Sequence, residues 1–480
     1  MAWFFFPRLI SAFIAILVLV VLSRILGPAD FGRYNITILF GTVSYSFVFS
    51  WLSVAIIRFH SSEKYGGQVI AYALHTSAKI TIFLIPVIII GYFVAPESYV
   101  IALVLGGVFA MAHATQELGL AAFRVYRMGP AFAFITLMRP IVAVSLSVAF
   151  VALGFGVIGA VIGAIAGALM AGGIALYMVF PKSGAEPAGF QRIKEFFVFG
   201  MPLGIVTSGT MLIVLLSQSL IASYADFGAV GIFAAAQTLA MRSIAMPMIM
   251  ASRASSASIF SEFEESGMGA ANALLERHLS FVLLMSAPIA TALVFADEMA
   301  ARLMFGEIYK EMAAQHLQIL AIAAFILGVQ GAYFAYAFTL SRKTYGQLYI
   351  LAGATTLHAG ITVVAIQNMG SVGASYAMLI TASLSAGAYY FFGKRTSPDI
   401  TLPMRPIWRV LVASAAMAPF AAYADRQASM AVGIGTVVLG GFAYLAVLVV
   451  LRQEGAMAVL EFLRKGTARR RANQADFTNQ

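Results

Sequence analysis

Apolar residues fill the chain in continuous runs of about twenty, separated by short polar connections. A helix that crosses the hydrocarbon core of a bilayer needs about 20 apolar residues, whereas membrane β-barrel strands alternate over about 10. The runs therefore predict an all-α polytopic membrane protein. About fourteen transmembrane helices are predicted, near 4–26, 34–57, 71–95, 99–121, 131–153, 157–180, 196–222, 227–252, 278–296, 315–340, 345–367, 371–393, 405–424 and 430–451.

Composition supports a membrane location. The 480 residues are 61% hydrophobic and 10% charged, while about 25% charged residues are typical of a soluble domain. The chain contains no cysteine, which excludes disulfides, iron–sulfur clusters and thiolate zinc sites. The net charge of +10 does not indicate nucleic acid, because the basic residues lie in short connections and in the tail from Arg464 to Arg471. That tail is expected to touch anionic membrane lipids.

The distribution of Lys and Arg predicts the orientation. Fourteen spans place both termini on one side, and that side holds 22 of the 30 Lys and Arg residues. Three lie within spans and five lie on the opposite side: Arg24, Arg33, Arg302, Lys310 and Arg426. Since cytoplasmic connections are enriched in positive charge, both termini are predicted to be cytoplasmic.

An internal repeat divides the chain. Ala29-Asp30-Phe31-Gly32 reappears as Ala225-Asp226-Phe227-Gly228, and residues 156–160 (GVIGA) match residues 370–374 (GSVGA) in the same order. We therefore predict two six-helix bundles in parallel repeat, an N-lobe at 1–195 and a C-lobe at 196–395. Residues 396–480 add spans 13 and 14 and the basic tail. Paired repeats suit alternating access.

Three glycines in the sixth span predict a close helix contact. Gly159, Gly163 and Gly167 recur every four residues, which places them on one face of the helix. Small residues at this spacing let transmembrane backbones approach each other.

Three cations lie inside spans, where each costs about 2.5–3.5 kcal/mol on insertion scales. Lys79, Arg139 and Arg242 lie about 12–13 Å from the cytoplasmic ends of their helices, at 1.5 Å per residue. Cations at one depth predict a chamber for an anionic headgroup such as a diphosphate. A structural alternative is open for two of them: Arg139 could pair with Glu117 on the preceding span, and Lys79 could reach the headgroups.

Further polar residues are candidates for gating and coupling. Arg58 and Arg253 end the second and eighth spans, where they could anchor the interface or meet phosphate, and Arg24 stands at the opposite mouth. Glu117, with His113 one turn earlier, is the candidate ion-coupling site, although pairing with Arg139 competes with that role. His358 is expected to be a satisfied buried polar residue.

The stretch that leaves the first span carries a family resemblance. Residues 23–34 (SRILGPADFGRY), Ile57-Arg58-Phe59 at the end of the second span and the plan of six, six and two spans resemble the polysaccharide transporter family. These are the Wzx-type flippases of the multidrug/oligosaccharidyl-lipid/polysaccharide exporter superfamily. The resemblance implies ion-coupled transfer of undecaprenyl-diphosphate-linked oligosaccharide from the cytoplasmic to the periplasmic leaflet of a bacterial inner membrane. It implies no cofactor, and it suggests glycan polymerase and chain-length machinery as partners.

Other functions stay open. A lipid II flippase would fit the same features, while a multidrug/ion antiporter is disfavoured because the charges at mid-span are mainly cationic. A membrane glycan polymerase or acyltransferase is disfavoured because the longest periplasmic connection, near 297–314, carries no Asp-x-Asp motif. The sequence favours a secondary transporter over an enzyme.

Overall fold

The computed structural model describes residues 2–60, 68–179, 190–341, 343, 345–397, 400, 402–453 and 457. This part of the chain forms sixteen α-helices and no β-strand, which confirms the all-α fold class. The helices are α1 (Ala2–Val48), α2 (Ser50–Phe59), α3 (Gln68–Val94), α4 (Glu97–Val125), α5 (Gly129–Phe150), α6 (Gly156–Val179), α7 (Phe190–Tyr224), α8 (Phe227–Ala240), α9 (Met246–Phe295), α10 (Asp297–Phe305), α11 (Lys310–Val329), α12 (Tyr336–Leu340), α13 (Tyr345–Met369), α14 (Ser371–Thr396), α15 (Met404–Asp425) and α16 (Met430–Val450). Shorter turns lie between them: the π-helical turns Val151–Phe155, Met241–Ala245 and Gln330–Phe334, and the 3₁₀ turn Glu307–Tyr309.

Ten helical stretches of the described chain are long and apolar enough to cross a membrane. The predicted count of about fourteen is therefore not confirmed by length and hydropathy. The two longest of the ten, Ile10–Val48 with 39 residues and Gly129–Val179 with 51, greatly exceed the roughly 20 residues that one crossing requires. Helix α14 is not among the ten. The number of crossings stays a prediction.

Glycines with positive φ interrupt the two longest stretches, Ile10–Val48 and Gly129–Val179. Gly27 has a φ of 71° within α1 and is followed by Pro28. Gly154 and Gly156, with φ of 90° and 53°, let the chain turn from α5 into α6. Side chains of L-residues disfavour this left-handed region, so glycine is the residue that these turns require.

The small-residue face of α6 forms the predicted helix contact. Gly163 lies against the backbone of Ser147 on α5, and Gly167 lies against Ala143, so that a methyl group at either glycine would collide with α5. The Ser147 hydroxyl donates to the Ala160 carbonyl at 2.7 Å. The prediction of small-residue packing is confirmed, because these glycines allow α5 and α6 to approach at backbone distance.

The helices group into two compact units, Met1–Thr238 with Gln347–Thr381, and Leu239–Gly346 with Ala382–Gln480. The interior of the first unit is aromatic and aliphatic: Trp51 and Leu52 of α2, Phe123 of α4 and Phe132 of α5 are each at most 4% exposed. The lobe boundaries predicted after residues 195 and 395 stay a prediction.

The second unit is built around α9. Helix α9 packs on α11 and α15, and α15 packs on α16. The Tyr444 hydroxyl on α16 donates to the Leu284 carbonyl on α9 at 3.3 Å. The last two helices are therefore joined to the second unit by side-chain contacts as well as by the chain.

Candidate functional site

Arg139 lies in a polar cluster between α4 and α5. Phe109, His113 and Glu117 recur every four residues and therefore share one face of α4. The guanidinium carbon of Arg139, on α5, lies 5.8 Å from the centre of the Phe109 ring. Arg139 is also within electrostatic range of Glu117. The structure thus brings together three of the predicted site residues: Arg139, Glu117 and His113.

Aromatic rings enclose the imidazole of His113. Its ring centre is 4.6 Å from that of Tyr45 on α1, in an edge-on arrangement, and 5.7 Å from that of Phe109, in a stacked one. Among the described residues, the buried Nδ1 of His113 has no hydrogen-bond partner. A cation, a carboxylate and an imidazole with a spare ring nitrogen therefore lie inside an apolar helical unit. This combination can bind an anion and exchange a proton.

The other predicted cations have separate surroundings. Lys79 is exposed on α3, and Arg24 is exposed on α1. Arg58, in the last turn of α2, has its guanidinium carbon 5.8 Å from the centre of the Phe199 ring. Arg242 is half-buried on the π-helical turn Met241–Ala245. Arg253 lies on α9, and its side chain is outside the described part of the structure.

The two copies of the repeated motif meet, which sequence reasoning did not predict. A methyl group added to Gly32 would collide with the Phe227 carbonyl oxygen, and one added to Gly231 would collide with the Pro28 carbonyl oxygen. Arg33 extends over Phe227, with 5.3 Å between the guanidinium carbon and the ring centre. The crossing of the segments that begin at Pro28 and Phe227 is thus a backbone contact. The repeat was visible in the sequence, but it gave no signal that its copies touch.

Three helices meet at the buried His358. Its Nε2 lies 2.7 Å from the Ser217 hydroxyl on α7, and its Nδ1 lies 2.9 Å from the Thr381 hydroxyl on α14. Thr362, one turn further along α13, places its hydroxyl 3.2 Å from Nε2. The prediction of a satisfied polar residue is confirmed. His358 links α7, α13 and α14 through hydrogen bonds.

Polar contacts connect α10 to the end of α15, and we call this group of residues, Asp297, Met299, Arg302, Asp425 and Gln427, the α10 elbow. The Asp425 carboxylate accepts the Met299 backbone N–H at 2.9 Å, which satisfies a donor at the start of α10. Arg302 donates to the Gln427 carbonyl at 3.2 Å. Burial raises the pKa of Asp297, the first residue of α10, to about 6, and the nearby Asp425 and Glu298 carboxylates add to the increase. The capping carboxylate lies 126 residues further along the chain, so that no local sequence signal predicted this contact.

Comparison with known proteins identifies a family and a fold. The model of a family described as polysaccharide biosynthesis protein matches residues 21–314. No curated protein sequence matches the chain. Among solved structures, the chain is similar to the lipid II flippase MurJ in an inward closed conformation, with a TM-score of 0.79 and 13% identity, covering 94% of this chain and 99% of that one.

Two solved structures described as conformations of a multidrug resistance MATE family transporter of the MOP superfamily are also similar to this chain. The inward-facing one has a TM-score of 0.64 and 16% identity, covering 81% of this chain and 95% of that one. The outward-facing one has a TM-score of 0.60 and 14% identity, covering 84% of this chain and 96% of that one. At such identities the similarity shows the fold.

Proposed function

We propose, from the premise that this chain belongs to the family of polysaccharide biosynthesis proteins, that it is a flippase for a lipid-linked oligosaccharide. The cargo is an undecaprenyl-diphosphate-linked repeat unit, carried from the cytoplasmic to the periplasmic leaflet of a bacterial inner membrane. Family membership agrees with the resemblance of residues 23–34 and supports a role in glycan assembly. The protein is proposed to act as a carrier and not as an enzyme.

The observation that carries the proposal is a guanidinium within an apolar span, next to titratable groups. Arg139 lies over Phe109 and within electrostatic range of Glu117 and His113. A charge inside the membrane costs several kcal/mol unless a protein partner or a bound substrate stabilises it. A diphosphate offers acceptor oxygens that arginine can bind two at a time.

Each predicted residue has a role in the proposed cycle. Arg139, Arg242 and Lys79 attract the diphosphate at mid-membrane depth. Arg58 and Arg253 meet it at the cytoplasmic ends of their helices, and Arg24 meets it at the periplasmic mouth. Protonation of Glu117, assisted by His113, removes the negative charge that faces Arg139, and deprotonation restores it. This change couples transfer to an ion gradient.

The experiment is a gene deletion complemented with variants. Deletion should trap lipid-linked repeat units in the cytoplasmic leaflet and remove the surface glycan. Arg242→Ala should fail to restore export although it reaches the membrane, whereas Arg405→Ala, at the exposed cytoplasmic start of α15, should restore it. An unchanged glycan profile after deletion would refute the proposal.

A second candidate is a lipid II flippase, which the similarity to MurJ over 94% of this chain favours. Its cargo also carries a diphosphate, so that the cationic residues would act in the same way. Peptidoglycan arrest after depletion, with the surface glycan intact, would select this alternative. Loss of drug resistance with both glycans intact would instead select the antiporter.

A further inference from the structure

Aromatic side chains line a recess in the second unit. The recess lies between the π-helical turn that precedes α12 and the C-terminal end of α14. Tyr333 and Phe334 come from the π-helical turn Gln330–Phe334, and Tyr389 and Tyr390 come from α14. Lys394, one turn beyond Tyr390, completes the lining with an exposed ammonium group. The recess thus combines aromatic walls with one cation.

The walls of this recess are fixed by close helix contacts. A methyl group added to Gly393 would lie 2.9 Å from the Ala337 side chain, so that α12 and α14 approach closely at this point. Ser397, just after α14, donates its hydroxyl to the Ala337 carbonyl at 3.0 Å. The Phe334 and Tyr390 ring centres are 5.9 Å apart. These contacts hold the aromatic rings in place before any ligand binds, which reduces the entropic cost of binding.

The outer surface next to the recess has the pattern of a membrane interface. Phe391 and Phe392 are 68% and 51% exposed, and Arg395 places its guanidinium carbon 5.9 Å from the Phe392 ring centre. Aromatic residues followed by cations are typical of the boundary between hydrocarbon and headgroups. The predicted orientation places this end of α14 in the cytoplasmic leaflet.

We propose that the mouth of the recess binds the headgroup of an anionic glycerophospholipid from the cytoplasmic leaflet. The phosphodiester contacts the exposed Lys394, the glycerol portion lies against the partly exposed Tyr390, and the acyl chains follow Phe391 and Phe392. Basic pockets between transmembrane helices on the cytoplasmic side favour such headgroups. This site is separate from the residues proposed to meet the cargo.

Charge complementarity selects a bilayer lipid over the diphosphate cargo. One ammonium group balances the single negative charge of a phosphodiester, and Lys394 is the cation in the described lining of the recess. The Glu276 carboxylate is within electrostatic range of Tyr333 and repels an anionic ligand in proportion to the charge of that ligand. A diphosphate, with its higher charge, is therefore less suited to this recess than phosphatidylglycerol.

The test measures lipid binding by the purified full-length protein in detergent. Native mass spectrometry with dioleoyl phosphatidylglycerol and dioleoyl phosphatidylcholine gives the affinity for each lipid. We expect the wild-type protein to prefer phosphatidylglycerol, and Lys394→Gln to weaken that binding about five-fold, because Lys394 is the cation of the recess lining that contacts the lipid phosphate. Arg395→Gln removes the same charge one residue further along and should retain most of the affinity.

Two further arms complete the test. Tyr390→Leu should also weaken phosphatidylglycerol binding. If that aromatic variant misfolds, the comparison of Lys394→Gln with wild type still tests the proposal, because Lys394 is exposed. Equal phosphatidylglycerol affinity in Lys394→Gln and wild type, or no preference over phosphatidylcholine, would overturn the proposal. So would undecaprenyl diphosphate that displaces phosphatidylglycerol with higher affinity and depends on Lys394. Binding is measured without transport, so that failure here leaves the proposed flippase activity untouched.

Discussion

At the scale of single residues, Arg139 carries a charge inside an apolar helix. Glu117 offers the opposite charge across the α4–α5 contact, and the face of Phe109 offers a cation–π interaction of about 0.5–2 kcal/mol. Both partners lower the cost of keeping the guanidinium ionised. The same arrangement is compatible with a structural ion pair and with an anion-binding site. The two roles predict different export activity when both charges are removed.

Replacing Glu117 should destabilise the protein through Arg139. We expect Glu117→Gln to lower the free energy of unfolding by about 1–3 kcal/mol, because the guanidinium is left without its countercharge. The double variant Glu117→Gln with Arg139→Gln should recover much of that loss. Thermal unfolding of the purified protein in detergent measures both effects.

Export by the double variant separates the two roles of Arg139. A stable double variant that still exports would assign Arg139 to structure, whereas a stable one that does not export would assign it to the cargo. Glu298→Gln is the control, since Glu298 pairs with Lys310 at 3.2 Å on the surface, where such a pair contributes less than about 1 kcal/mol. Equal destabilisation by Glu117→Gln and Glu298→Gln would contradict the prediction.

At the scale of helices, the two motif copies form a crossing that only glycine permits. Gly32 and Gly231 each face a backbone carbonyl of the other copy, and the Tyr99 hydroxyl lies 3.2 Å from the Ser223 hydroxyl nearby. An alternating-access carrier must open and close each mouth. A contact that depends on the absence of two methyl groups is well suited to be the closed state of one mouth.

A methyl group at this crossing should hold its helices apart. We expect Gly32→Ala and Gly231→Ala to reduce export and to increase labelling of a Val230→Cys reporter, which is buried within the crossing segment, by a membrane-impermeant maleimide. The chain has no cysteine of its own, so that the reporter is read without background. Gly435→Ala, with nothing within 4 Å of the added methyl group, is the control and should behave as wild type. Unchanged labelling and export in both crossing variants would rule out this gate.

The elbow at α10 should respond to pH. Burial raises the pKa of Asp297 to about 6, so that the folded protein takes up a proton while the unfolded chain is still ionised. The free energy of unfolding should therefore rise as the pH falls from about 6 towards 3.8, the ordinary pKa. Thermal unfolding across this range should show a smaller rise for Asp297→Asn, while Glu311→Gln, at an exposed position of α11, should keep the wild-type slope. A wild-type slope in Asp297→Asn would contradict this assignment.

Sequence reasoning located helices better than it located contacts between them. Spans predicted at 99–121 and 131–153 correspond to α4 and α5, because long apolar runs fix where a membrane helix can lie. Counting residues inward from the same surface placed Glu117 and Arg139 at similar depth, and the structure has them within electrostatic range. The crossing of Gly32 with Gly231 could not be predicted, since nearly 200 residues separate them and tertiary packing alone brings them together.

At the scale of the whole molecule, the charge pattern predicts a side of the membrane for each proposed functional feature. It predicts that Arg24 and the α10 elbow lie on the side with few cations and that Lys394 lies on the side with many. The proposed direction of transport, the leaflet that supplies the proposed anionic lipid and the face reached by external protons all depend on this prediction. An inverted protein would exchange each of them.

Single cysteines should report the orientation directly. A membrane-impermeant maleimide added to intact spheroplasts should label Ala428→Cys, at the exposed connection between α15 and α16, and it should label Lys343→Cys only after permeabilisation. The absence of native cysteine makes wild-type protein the blank. Because cytoplasmic connections retain Lys and Arg during insertion, the bias of 22 cations to 5 over the fourteen predicted spans predicts this result. Labelling of Lys343→Cys in sealed spheroplasts would reverse the orientation, and the diphosphate cargo would then meet Arg24 before Arg58.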